Sequence, residues 1–240
     1  MKTYKNIIFV HIPKTAGSSI RKSLERGFGE QTIFPEHDQG SIVTAMKNDT
    51  HQHFLGHVGA SFALAYKPKD QFVFSFLRNP LDRLISLYNF FHGLDQKKIK
   101  GDFVIDYAIN NTAEAFFESK DPRILSYLDN TQTWQLAIAT DPMTRKKYSY
   151  LNDLDLLNLA QSNIHKMHFC GITEYSAESI NTLGQLLGVS LTENRINASV
   201  TKMTFDDLSP NIREKLREYT KLDNILYENQ KKFFEQWYLS

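Results

Sequence analysis

The segment His11-Ile-Pro-Lys14-Thr15-Ala16-Gly17-Ser18-Ser19 combines one cation, three hydroxyls and two small residues in a short span. It lies between an apolar run and an amphipathic stretch. Small residues let a backbone approach an anion closely, and a helix starting there offers unpaired N–H groups and positive potential. With Lys14 and the hydroxyls of Thr15, Ser18 and Ser19, this is the chemistry of a phosphate cradle. It is not the nucleotide-binding pattern G-x-x-x-x-G-K-[ST], in which the lysine follows the second glycine, because Lys14 precedes Gly17. A nucleotide kinase or GTPase is therefore disfavoured. The alternative is an ordinary strand-to-helix turn that needs only a glycine and a cap.

A second segment carries complementary chemistry: Phe74-Ser-Phe-Leu-Arg78-Asn79-Pro80-Leu-Asp-Arg83-Leu-Ile-Ser86-Leu-Tyr88. Asn79 suits a helix N-cap and Pro80 the first helical position. Arg78 then ends a strand, and Ser86 follows eight residues later on the helix. Such a pair can grip one phosphate through charge-assisted and hydroxyl hydrogen bonds. The competing reading makes Arg78 a surface charge and Ser86 a helix-face residue. Arg83 reads as structural, pairing with an acidic side chain to brace the strand–helix corner.

Together the two segments resemble the sulfotransferase family that uses 3′-phosphoadenosine 5′-phosphosulfate (PAPS). His-Ile-Pro-Lys-Thr-Ala-Gly-Ser-Ser is similar to its 5′-phosphosulfate loop, and Leu-Arg-Asn-Pro-Leu-Asp-Arg-Leu-Ile-Ser-Leu-Tyr to its 3′-phosphate motif. The Pro-Lys-Thr-Ala-Gly form is closest to carbohydrate O-sulfotransferases, particularly the uronyl 2-O-type branch and its bacterial soluble relatives. The resemblance implies in-line transfer of a sulfuryl group from PAPS to a hydroxyl acceptor, a carbohydrate or small molecule. Lys14 would stabilise the leaving oxygen, and residues Thr15, Ala16, Gly17, Ser18 and Ser19 would hold the 5′-phosphate. Arg78 and Ser86 would hold the 3′-phosphate. Phe54-Leu-Gly-His57-Val resembles the segment that carries a catalytic histidine in that branch, which makes His57 the candidate base. Asn197-Ala-Ser199-Val-Thr-Lys202 falls where family members have a late loop closing over the cofactor, so Ser199 and Lys202 join the candidates. Cys170-Gly-Ile-Thr-Glu-Tyr175 resembles a strand-end segment near the nucleotide. A non-catalytic nucleotide- or glycan-binding member of the same fold is the alternative. Because a sulfuryl group carries less charge than a γ-phosphoryl, no metal is required.

These residues need a frame. Apolar runs at 6–11, 71–77 and 167–172 are short, rich in Ile, Val and Phe, and lack clean alternation, as strands buried on both faces do. A weaker run at 53–57 is a fourth candidate. Helical periodicity follows at 17–28 and 80–91, and 176–187 trails the third run. Residues 101–163 and 209–238 read as mainly helical. Strand–helix alternation predicts an α/β class, a three-layer P-loop-like fold with a central, mostly parallel sheet flanked by helices. No repeat or linker divides the chain, so 1–240 reads as a single domain. The middle third, about 95–160, is where acceptor contacts are expected, with aromatic residues from Tyr88 to Trp134 suited to stacking.

Composition closes off other classes. The 240 residues are 41% hydrophobic and 23% charged, close to the globular average, which excludes disorder and low-complexity classes. A formal charge of +1 gives no support to nucleic-acid binding, so any anion site is local. The single cysteine, Cys170, sits in an apolar run and reads as a buried core thiol. His51, His53 and His57, or His165 and His168, lack the flanking pattern of metal ligands. The apolar stretch 7–10 is too short for a signal-peptide core, and no run reaches the length of a membrane span. The expectation is a cytoplasmic protein; the oligomeric state is not legible.

Overall fold

The computed structural model describes residues 6–48, 51–66, 71–95, 101–192 and 203–239. Four strands, β1 Asn6–Val10, β2 His53–Gly56, β3 Gln71–Leu77 and β4 Phe169–Ile172, form one sheet in the order β2-β1-β3-β4. Every pairing is parallel. All four strands are buried along their whole length, which is why they lack alternation and why helices must cover both faces.

The helices are α1 Gly17–Phe28, α2 Gln39–Lys47, α3 Ala60–Ala65, α4 Pro80–His92, α5 Phe103–Asn110, α6 Ala113–Glu118 and α7 Pro122–Leu128. They continue with α8 Thr131–Ala137, α9 Pro142–Lys147, α10 Asp153–Lys166, α11 Ser176–Leu187, α12 Pro210–Tyr219 and α13 Lys221–Tyr238. The expected α/β, three-layer, parallel-sheet class is the observed one. Differences lie at boundaries. β1 stops at Val10, although the His11 N–H still reaches the carbonyl of Gly56 at 2.9 Å. β4 starts at Phe169 because Met167 caps α10, its N–H bonding to the carbonyls of Asn163 and Ile164. The short helices α2 and α3 were not legible in the sequence.

Strand order decides what meets. β1 lies between β2 and β3, with Val10 opposite Gly56 on one side and Ser75 on the other. The chain leaving β1 is therefore flanked by the residues that follow β2 and β3. His57 and Arg78 emerge beside the His11–Ser19 turn at the carboxyl edge of the sheet, where open α/β sheets bind ligands.

Two apolar clusters hold this frame. One joins the sheet, through Phe9, Phe54, Phe74 and Phe76, to Ile20 and Leu24 of α1 and to α10 and α13. The other lies beyond the sheet and packs Leu84, Leu87, Tyr88 and Phe91 of α4 against α5, α6, α7 and α12. Each fully buried Phe, Ile or Leu contributes about 1.5–3 kcal/mol. Tyr88, Phe91, Phe116 and Phe117 belong to this second cluster. Of the aromatic residues expected to stack on an acceptor, these four are thus core, whereas Phe90 and Phe103 are exposed. Cys170 is buried as expected, and burial pushes its thiol up to about 12. Among the described residues, no helix is long and apolar enough to cross a membrane.

Candidate active site

The turn after β1 adopts a backbone that most residues avoid. Lys14 (φ 73°) and Ala16 (φ 64°) are both left-handed, with Thr15 between them. For residues with a Cβ this costs about 1–2 kcal/mol each. Alternating left-handed positions turn successive N–H groups toward a common concavity, the geometry of anion-binding nests. Helix α1 starts at Gly17 with no side-chain cap, because Ala16 has nothing to offer. The Ser19 and Ile20 N–H groups bond to the Ala16 carbonyl at 3.0 Å and 3.1 Å, which leaves those of Gly17 and Ser18 for the concavity. Gly17 makes room for its neighbour, since a Cβ there would lie 1.9 Å from His11 Nε2.

The candidate side chains of the cradle separate by burial. Ser18 is exposed and Ser19 half-buried on the first turn of α1. Thr15 is fully buried, and its hydroxyl donates to the carbonyl of Ile12 at 2.9 Å. The Thr15 N–H donates to the same carbonyl at 3.3 Å, so this residue closes the turn rather than facing the concavity. Lys14 Nζ lies 3.8 Å from the ring centroid of Phe90, an α4 residue 47% exposed.

Arg78 follows β3 as expected, and its Nη1 donates to the carbonyl of Lys14 at 3.2 Å. The two candidate segments, 64 residues apart in sequence, are thus in direct contact. Three partners fix the corner that carries Arg78. Gln132 Oε1 accepts from the Arg78 N–H at 3.1 Å, and its Nε2 donates to the Arg78 carbonyl at 3.0 Å. Glu174 Oε1 accepts from the Asn79 N–H at 2.8 Å. Asn79 Oδ1 caps α4 by accepting from the N–H groups of Leu81 and Asp82. Ser86 is half-buried, two turns along the same helix.

Arg83 is structural, as expected, but it does not brace the strand–helix corner. Its side chain is 0% exposed and donates through Nη2 to the carbonyl of Tyr127 at 2.8 Å. Burial lowers its guanidinium to about 10, against the opposing charge of Asp223 on α13. Among the described residues, its Nε and Nη1 have no hydrogen-bond partner.

His57 lies just past β2, beside the cradle. Its N–H donates to the His37 carbonyl at 2.9 Å, and its Nδ1 lies 2.9 Å from the carbonyl of His11. A carbonyl can only accept, so Nδ1 carries the proton and, in the neutral ring, Nε2 holds the lone pair. The residue is exposed, with the His11 ring and the His37 backbone packed close to it. That crowding holds its pKa below the ordinary value, the bond to His11 opposing and His37 reinforcing the shift. His11 stacks on His57 at 4.7 Å and is held well below 6.5, first by burial and then by the charges of His57, His37, Lys14 and Arg21.

Several supporting residues escaped the sequence reading. His37 sits between Arg21 and the Leu55 carbonyl, its Nδ1 3.4 Å and 3.2 Å from them. Gln135 Nε2 donates to the His11 carbonyl at 2.8 Å. The one signal for Gln132 and Gln135 is their i, i+3 spacing in Thr131-Gln-Thr-Trp-Gln-Leu-Ala137, a helix whose polar residues are buried. The late-loop candidates Ser199 and Lys202 lie outside the described residues. Among the described residues, no group of three or more His, Cys, Asp or Glu could hold a metal.

The site thus unites an uncapped helix N-terminus, a strained turn, a lysine, an arginine on a clamped corner and a histidine of defined tautomer. A family model described as the sulfotransferase family matches residues 1–230. A comparison with curated proteins finds no match. A match over nearly the whole chain, on this fold, leads to one conclusion: the chain belongs to the sulfotransferase family, and its chemistry is sulfuryl transfer.

Proposed function

We propose that the chain, acting as one domain over 1–240, is a PAPS-dependent O-sulfotransferase with a carbohydrate or small-molecule hydroxyl acceptor. The observation that carries this reading is the contact of Arg78 with the Lys14 carbonyl, which joins two anion-directed segments into one elongated site. The left-handed turn suits a phosphosulfate, and the missing side chain at Gly17 lets the His11 ring lie against the turn. PAPS, when bound, supplies a sulfuryl group whose bond to the bridging phosphate oxygen breaks as a new sulfur–oxygen bond forms to the acceptor.

The protein's own part is positioning and charge stabilisation. Backbone N–H groups of Ala16, Gly17 and Ser18, with the hydroxyls of Ser18 and Ser19, hold the 5′-phosphate, and Thr15 shapes the turn that presents them. Lys14 leaves the Phe90 ring to meet the charge that grows on the leaving oxygen. Arg78 and Ser86 hold the 3′-phosphate. His57 accepts the acceptor's hydroxyl proton at Nε2, since Nδ1 is committed to the His11 carbonyl. Ser199 and Lys202 complete the cofactor contacts. Closeness to the uronyl 2-O-type branch rests on the Pro-Lys-Thr-Ala-Gly form of the loop. A cytoplasmic location is part of the same reading, in keeping with a single buried cysteine.

Calorimetric titration of adenosine 3′,5′-bisphosphate and AMP tests this directly. Arg78→Ala is expected to weaken bisphosphate binding by about 1.5–3 kcal/mol and to leave AMP nearly unaffected. Equal losses for both ligands would remove Arg78 from the 3′ position. Absence of bisphosphate release from PAPS across a panel of hydroxyl acceptors would overturn the activity.

A further inference from the structure

We propose that Gln132 is a positioning residue for Arg78 and the source of much of the site's selectivity for a 3′-phosphate. This rests on the reading that Arg78 holds that phosphate. Arg78 is the first residue past β3, and the sheet no longer dictates where its backbone lies. In place of a neighbouring strand, the fully buried amide of Gln132 takes both backbone groups of Arg78 at once. The arrangement admits one amide orientation, because turning it over would set donor against donor and acceptor against acceptor.

The clip is itself anchored. Asp223 of α13, also fully buried, accepts from the Gln132 N–H at 3.2 Å through Oδ2. Through Oδ1 it accepts from the N–H and hydroxyl of Thr133, both at 2.7 Å. Asn130 Oδ1 returns the link by accepting from the N–H groups of Leu222 and Asp223, at 2.8 Å and 3.2 Å. The first turn of α8 is thus stapled to the first turn of α13, and Gln132 transmits that rigidity to the corner from which the Arg78 side chain leaves. A guanidinium reads phosphate through a planar fork, so its grip depends on where its Cα is held. Ordinary core satisfaction would also pair Gln132, but it would not single out one ligand.

The test is a double-mutant cycle on the full chain, read by titration with adenosine 3′,5′-bisphosphate and with AMP. Gln132→Leu keeps the volume and removes the clip. It is expected to weaken bisphosphate binding about tenfold while AMP binding stays within about twofold. In the Arg78→Ala background the same change should cost nothing further, because Gln132 acts through Arg78. If Gln132→Leu fails to fold, Gln132→Glu replaces it: the isosteric carboxylate keeps the acceptor for the Arg78 N–H and opposes the Arg78 carbonyl, with the same selective loss expected. Equal losses for both ligands, or additive losses in the double variant, overturn the role of Gln132. A flat response to Arg78→Ala brings down the 3′-phosphate assignment and this inference with it. A selective Arg78→Ala beside an unselective Gln132→Leu brings down Gln132 alone.

Discussion

His57 and His11 are joined twice: their rings stack at 4.7 Å, and His57 Nδ1 donates to the main-chain oxygen of His11 at 2.9 Å. The bond fixes the tautomer, and the stack crowds both rings. If His57 is the base, it works from Nε2 and only when neutral. Its pKa lies below 6.5, so kcat with an alcohol acceptor should rise with pH along a limb centred below that value. His57→Ala should cost about 10²–10⁴ in kcat and abolish the acid limb, with bisphosphate affinity retained. A limb centred above pH 6.5 would point to a different group.

The same burial has a consequence for folding. Unfolded His11 takes up a proton near 6.5, whereas folded His11 resists it to well below that value. Its stabilising contribution is therefore complete above about pH 6.5 and is lost as pH falls toward the folded-state pKa. Urea midpoints measured at pH 7.5 and 5.5 should fall more steeply for the wild type than for His11→Asn. Parallel losses would show that His11 does not carry the acid sensitivity.

Lys14 contributes to rate rather than to affinity if its partner is charge that develops on the leaving oxygen. Lys14→Ala should lower kcat by about 10²-fold while bisphosphate still binds, and Lys14→Arg should recover only part of the rate. Since Arg78 contacts the Lys14 carbonyl rather than its side chain, the corner should survive the substitution. Near-normal turnover in Lys14→Ala would exclude the lysine from the mechanism.

Gly17→Ala forces a Cβ to within 1.9 Å of His11 Nε2. Overpacking of this kind costs about 1–3 kcal/mol, measurable by chemical denaturation. Removing the opposing ring in His11→Ala should relieve most of that cost. A Gly17→Ala protein as stable as wild type would mean that the turn can rearrange.

Asp223 faces the charge of Arg83 and accepts three hydrogen bonds from Gln132 and Thr133. Asp223→Ala leaves a buried guanidinium uncompensated and two N–H groups unpaired, for an expected loss of about 3–5 kcal/mol. Asp223→Asn, which keeps part of the hydrogen bonding, should lose less. A small effect of Asp223→Ala on the denaturation midpoint would show that water reaches Arg83.

Local chemistry was legible in the sequence. The glycine-containing turn after β1, the Arg78 corner, the Asn79 cap and the buried strands each depend on neighbours within about a dozen residues, and residue type at short spacing records such relations. The parallel α/β class followed from the same patterns. Tertiary structure decided the rest. That β1 runs between β2 and β3 is what brings His57 and Arg78 to the two sides of one turn, and strand order leaves no periodic mark in a sequence. The clip of Gln132 on Arg78 spans 54 residues, and the bond from Gln135 to His11 spans 124. Neither amide differs in kind from one pointing to solvent. Aromatic residues between Tyr88 and Trp134 offered stacking surfaces by type alone, and packing placed Tyr88, Phe91, Phe116 and Phe117 in a second core while leaving Phe90 and Phe103 exposed. A side chain's type states what it can bond. Only the folded chain, by excluding water from some polar groups and not others, determines which of those bonds must form.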